Sequence, residues 1–183
     1  MKIEIVHPRM LVIECHQEHG DPGYGTCLWM RCTLNLDAHT IAIQSDCGSY
    51  STGSFCCRDF LEFCADLGRE VDYLLGKVSR RTFIDPNATV ENINDHLDDV
   101  FETGNPIWDK LEDAVNGADT ERDIVEAVEN LMDEEDVFVD EYDLYECIHY
   151  DYPPVARRAI QIFCENIVPV IAEEAKKEKD DAE

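Results

Sequence analysis

The spacing of apolar residues changes once along this chain, near Cys57, and that change limits which elements it can build. Before it, Met10–His16 (MLVIECH), Thr26–Leu34 (TCLWMRCTL) and Thr40–Asp46 (TIAIQSD) are rich in strand formers and are separated by turn chemistry. The connection QEHGDPGYG holds three glycines and a proline, and NLDAH is short enough for a hairpin. SYSTGSF offers a fourth, glycine-weakened strand. After Cys57 the apolar positions fall at helical spacing, first Phe60, Leu61, Cys64 and Leu67, then Val71, Leu74, Leu75 and Val78. The fold class this implies is α+β, a small N-terminal antiparallel sheet followed by an acidic, mainly helical half.

Three further helices carry their own start and stop signals. Asp85-Pro86 supplies an N-cap and first-turn proline for a helix with Ile93, Leu97, Val100 and Phe101, closed by Gly104. Asn105-Pro106 opens the next, which ends at Gly117, and Asp119 or Thr120 caps a third with Ile124, Val125, Val128, Leu131 and Met132 on one face. Val137-Phe138-Val139 reads as a short strand and Tyr142–His149 as a helix. Pro153-Pro154 opens a last helix that Pro169 should kink. The expected organisation is 1–84 as sheet plus one or two helices, 85–175 as an acidic helical region packed on it, and 176–183 as a frayed tail.

Charge is segregated along the chain. Residues 1–84 carry 11 Asp and Glu against 8 Lys and Arg, residues 85–151 carry 23 against 2, and residues 152–183 carry 7 against 5. Most of the formal net charge of −26 therefore lies in the middle block. As helix, that block is about 100 Å long with roughly one net charge per 5 Å, and pairing of helices raises the density to about one per 2–3 Å. Duplex DNA presents one per about 1.7 Å of axis. Such a field repels nucleic acid and membranes and attracts basic protein surfaces, so the partner expected is a basic protein, with no direct nucleic-acid or membrane contact. The candidate contact residues are Asp95, Asp98, Asp99, Glu112, Asp113, Asp133, Glu134, Glu135 and Asp136.

No apolar run of about 18 residues is present, and MKIEIVHPRM lacks a signal-peptide pattern, so the expected location is the cytoplasm. The nine cysteines are then expected as reduced thiols, with Cys27, Cys32, Cys64, Cys147 and Cys164 in apolar stretches and Cys56-Cys57 as an adjacent pair. Cys15, His16, His19, Cys27 and Cys32 are metal-ligand types, but the C-x₂₋₄-C spacing among them, Cys27-x₄-Cys32, lies within an expected strand rather than a knuckle. A strand would also send Cys27 and Cys32 to opposite faces. No metal and no cofactor are expected. There is no G-x-S-x-G, H-E-x-x-H, P-loop or G-x-G-x-x-G, so no catalytic residues are assigned. Asp95-His96-Asp98-Asp99 raises a metal-dependent hydrolase or nuclease as an alternative, although acids on a solvated helix face account for it too.

One stretch joins strand to turn in an unusual way: SDCGSYS, followed by FLEFCADLGREVDYLLGKVSRR. It resembles a group of uncharacterised phage and prophage accessory proteins that carry an S-D-x-G-x-Y-S turn, an F-L-x-F helix and D-Y-L-L-x-K. The positions carrying the resemblance are Ser45, Asp46, Gly48, Tyr50, Ser51, Phe60, Leu61, Phe63, Asp72, Tyr73, Leu74, Leu75 and Lys77. It covers about residues 40–82, and Thr52-Gly53-Ser54 stands where such proteins often carry an aromatic pair. Size, acidity and this motif are also similar to some type II anti-CRISPR proteins. The resemblance implies a non-enzymatic, phage-derived inhibitor in an infected or lysogenic bacterial host. Its target would be a CRISPR effector nuclease, whose basic channel the acidic half would occupy. A phage structural or assembly protein, acidic only for solubility, is the other alternative.

Overall fold

Met10–His16 (β1), Trp29–Asn35 (β2), Thr40–Ser45 (β3) and Gly48–Ser51 (β4) form an antiparallel meander in the order β1-β2-β3-β4. The computed structural model describes residues 7–20, 25, 27–97, 106–135, 137 and 139–180, the side chains of 106 and 108 excepted. The α+β class expected from the change of period is the one observed. Register places Leu11, Ile13 and Cys15 opposite Leu34, Cys32 and Met30, and Cys32 and Leu34 opposite Ile43 and Ile41, so one face of the sheet is continuously apolar.

Helices follow at Phe60–Ala65 (α1), Val71–Val78 (α2), Pro86–His96 (α3), Pro106–Asn116 (α4), Glu121–Glu134 (α5), Glu141–Cys147 (α6), Pro154–Ile162 (α7) and Val168–Asp180 (α8), with a second antiparallel pair, Phe83–Ile84 (β5) and Tyr150–Asp151 (β6). Their starts are capped by short side chains that satisfy first-turn amides. Asp59 accepts from Glu62 N, Asp85 from Asn87 N and Ala88 N, Thr120 from Asp123 N, and Asp140 from Tyr142 N. Of the two caps considered for α5, the structure uses Thr120. Gly104, Val100 and Phe101, expected at the end of α3, lie outside the described residues.

The chain divides into two compact units, Met1–Arg80 with Tyr152–Glu183, and Arg81–Asp151. The C-terminal segment from Tyr152 belongs to the same unit as the sheet. Ala159, Ile160, Phe163, Cys164, Ile167 and Ile171 share a buried core with Met30, Leu34, Ile41, Leu74 and Leu75. The apolar face of the last helices therefore completes the sheet rather than extending the acidic region. The second unit has its own core, built from Val90, Ile93, Leu111, Val115, Ile124, Val128, Met132 and Leu144.

At Pro169, the expected site of a kink, Phe163–Ile167 widens into a π-helical turn, and Val168 N–H donates to Phe163 O. That extra residue absorbs the proline, which lacks an amide and crowds the preceding turn. Of the expected frayed tail 176–183, residues 176–180 continue the helix and Lys179 Nζ lies 2.8 Å from Glu62 Oε1, while 181–183 lie outside the described residues. Val137 and Val139 form no strand; Val137 N donates to Met132 O, closing the end of α5, and the strand in this region is β6. Phe138 lies outside the described residues.

Candidate functional site

The motif that carried the family resemblance is a hairpin lock. β3 and β4 pair with Ser45 opposite Gly48, leaving Asp46-Cys47 as a two-residue loop. Gly48 has φ +120°, and a Cβ there would lie 2.9 Å from Tyr50 Oη. Ser45 Oγ donates to Gly48 O and accepts from Cys47 N, while Tyr50 Oη donates to Cys47 O at 2.7 Å. Asp46 reaches out of the loop and accepts from Leu28 N at 2.9 Å and Trp29 N at 3.5 Å, tying the hairpin tip to the start of β2. Burial pushes the Asp46 carboxyl up, but those amide hydrogen bonds outweigh it and hold it below its ordinary range.

The second half of the motif is also structural. Asp72 pairs with Arg157 at 2.9 Å, tying α2 to α7, and Lys77 Nζ stands 5.2 Å from the Tyr73 ring centroid. Leu74 and Leu75 are buried. Gly76 leaves room for Tyr152, whose hydroxyl would be 3.3 Å from a Cβ at that position.

The cysteines of the sheet unit are mostly core. Burial pushes Cys32 up to about 12 and Cys164 to about 11, and Cys64 further still. Cys57 Sγ lies 3.8 Å from His39 Nδ1, the pairing a thiol nucleophile would use. Burial, Cys56 and Asp59 all push that thiol up, the opposite of activation. The expected separation of Cys27 and Cys32 to opposite faces does not occur, because β2 begins at Trp29 and both cysteines are buried.

Among the described residues, one group of at least three metal-ligand side chains has its donor atoms within 4.8 Å of one another: Cys27, Asp46 and Cys47. Only Cys27 belongs to the set considered from sequence; His16 and His19 are exposed. The missing signal was register, since pairing Met30 with Ser45 carries the chain just before β2 toward the loop just after β3.

In the Arg81–Asp151 unit, α3 packs on α4 and α6, and α5 packs on α4 and α6, so the four helices close a ring around their core. Their outward sides point in different directions, and the acids are distributed over them. Asp95 is exposed on α3, Glu112 and Asp113 on α4, and Asp133 and Glu134 on the last turn of α5. Glu135 is half-buried and pairs with Lys110 at 2.7 Å. Asp98, Asp99 and Asp136 lie outside the described residues. The described candidates thus sit on three helices rather than in one cluster. His96 Nε2 lies 3.5 Å from Asp143 Oδ2 beside Asp95, at the edge of an open groove.

The density on α5 is the strongest feature of this unit. Glu121, Asp123, Glu126, Glu129, Asp133 and Glu134 face Arg122 alone over 14 residues. At about 1.5 Å per residue, that is roughly one net charge per 4 Å of helix. One DNA strand carries one per about 3.4 Å. Acids in the last turn also oppose the helix dipole, so Asp133 and Glu134 work against the stability of α5.

Among the described residues, no helix is long and apolar enough to cross a membrane. A protein-family model described as a phage family, Phage_phiTE_072, matches residues 1–177, well beyond the 40–82 stretch of the motif. No curated protein and no solved structure matches the chain.

Proposed function

The chain belongs to that phage family, and from this premise we propose that it is a non-enzymatic inhibitor whose acidic unit occupies a basic nucleic-acid channel of a host defence nuclease, an RNA-guided CRISPR effector. The observation that carries this reading is the coincidence of charge with architecture. The compact unit Arg81–Asp151 holds 23 Asp and Glu against 3 Lys and Arg, and none of its described carboxylates is buried. Three cations leave most of that charge uncompensated within the unit. The spacing along α5 approaches that of a single nucleic-acid strand, which suits a groove lined by Lys and Arg.

Electrostatic steering then brings the unit to the channel, and competition with guide or target gives inhibition without chemistry. The sheet unit, with its locked hairpin and apolar core, serves as the scaffold. The hydrolase alternative needs donors that converge on a metal, and the acidic helices bring no such triad together among the described residues.

The test is equilibrium binding of the purified chain to a type II CRISPR effector, with its channel empty or filled by guide RNA, at low and high salt. The expected result is a complex with the empty effector at low salt that guide RNA or high salt displaces. Equal binding to empty and filled effector moves the contact off the channel. No binding to either overturns the proposal and leaves the structural or assembly role.

A further inference from the structure

Cys27, Asp46 and Cys47 reach one point from two separate segments, and the surrounding hydrogen bonds hold them there. Asp46 and Cys47 are the whole loop of a two-residue hairpin, so their directions follow from the Ser45–Gly48 pair. Ser45 Oγ accepts from Cys47 N and Tyr50 Oη donates to Cys47 O, gripping the Cys47 backbone from both sides. The Asp46 carboxylate takes the amides of Leu28 and Trp29, which fixes it one residue away from Cys27 on the other segment. Such outer hydrogen bonds are what orients the ligands of a metal centre.

We propose that these three side chains bind a zinc-class divalent ion through two thiolates and one carboxylate, with the fourth tetrahedral position open. Zinc–sulfur bonds of about 2.3 Å at tetrahedral angles place two sulfurs about 3.8 Å apart. The donor atoms already lie within 4.8 Å of one another, so side-chain rotation of about 1 Å closes the site. On binding, each thiol gives its proton to solvent and its sulfur lone pair to the ion. The Asp46 carboxylate accepts amide hydrogen bonds and has further lone pairs for the metal. Two thiolates and a carboxylate on a divalent ion leave one net negative charge. Cys27 also lines a cavity of about 350 Å³ together with Cys15, His16 and Arg158, and the exposed Asp46 side opens the three donors to solvent. The ion ties the hairpin tip to the end of the β1–β2 connection, the glycine-rich stretch preceding β2.

The test is titration of the full, reduced chain with cobalt(II), followed by displacement with zinc. Expected are one cobalt per chain, the intense visible bands of tetrahedral cobalt with a sulfur-to-metal charge-transfer band, and loss of both on adding zinc. Cys47→Ser should halve the charge-transfer band and weaken binding by about a hundredfold or more, while Cys56→Ser, at an exposed position, should change neither. A readout on the wild-type chain guards against variants that fail to fold: zinc should slow alkylation of Cys47 and leave Cys56 unaffected. Absence of a charge-transfer band, bands that persist in both Cys27→Ser and Cys47→Ser, or alkylation of Cys47 unchanged by zinc overturns the site. So does a Cys27–Cys47 disulfide in acid-trapped cellular protein, because sulfurs bonded to each other do not ligate.

Discussion

The two units of this chain use their charged groups in opposite ways. In the sheet unit, charged residues serve the fold: Asp46 and Asp72 of the motif hold two amides and Arg157, and Lys179 holds Glu62. In the Arg81–Asp151 unit the fold uses only part of its acids. Asp85 and Asp140 cap helices, Asp123 accepts from Thr120 Oγ1, Glu121 from Tyr150 Oη, Glu126 and Glu135 pair with Arg122 and Lys110, and Asp143 lies against His96. The side chains of Glu129, Asp133 and Glu134 make no hydrogen bond or salt bridge among the described residues, and Glu134 acts on Lys110 only through its charge. The difference teaches where to look for function, because side chains that stabilise nothing, or oppose a helix dipole, are the ones left over for a partner.

The largest effect should come from the sheet unit's core. Phe163 is fully buried, so Phe163→Ala should cost about 3–5 kcal/mol in urea denaturation. Amide exchange should quicken in β2 and β3, which share that core. Unchanged protection there would separate the C-terminal helices from the sheet and break the comparison. Next in size is Gly48→Ala, which combines a left-handed φ with a clash against Tyr50 and should cost about 1–3 kcal/mol. Gly53→Ala, with nothing within 4 Å, is the control and should be near neutral.

Smaller effects appear against pH, with opposite signs in the two units. Asp46 has a lowered pKa, so its contribution is complete above the unfolded value of about 3.9 and fades as pH falls through the folded value. The stability difference between wild type and Asp46→Asn should therefore shrink in acid; a constant difference would leave Asp46 unlinked to the lock. In the acidic unit, Tyr150 Oη donates to the Glu121 carboxylate, and burial followed by that carboxylate raises the phenol to about 12. Its contribution is present below about pH 10 and is lost as pH rises toward the folded value, so Tyr150→Phe should matter least in strong base. Phenolate absorbance reads the same group directly.

Much of the fold was legible because local signals agreed with tertiary need. The Asp85-Pro86 cap, the helical stripe of α5 and the alternation of β3 all carry their elements unaided. What was not legible depended on contacts distant in sequence. An apolar stripe such as Ile160, Phe163 and Ile167 announces that it will be buried without saying against which core, though the near-neutral charge of residues 152–183 matched the first 84 residues better than the middle block. Pro169 signalled a break, and the π-helical turn that accommodates it has no marker of its own. Of the candidate site, the acidity was plain from sequence and its wrapping around a ring of helices was not. The Cys27–Asp46–Cys47 convergence required the β2–β3 register.

The measurement that bears most directly on the acidic unit as the partner-binding region is its association rate with a guide-free type II effector as ionic strength rises. The comparison is between wild type and the combined variant Glu129→Gln, Asp133→Asn, Glu134→Gln. Steering fields are screened over about 8–10 Å at physiological salt. The variant should associate severalfold more slowly at low salt and with a flatter salt dependence, while its thermal midpoint stays level or rises slightly, since two of the removed charges oppose the α5 dipole. Equal rates and equal salt slopes, with both proteins folded, would contradict the account and leave this acidity to solubility alone.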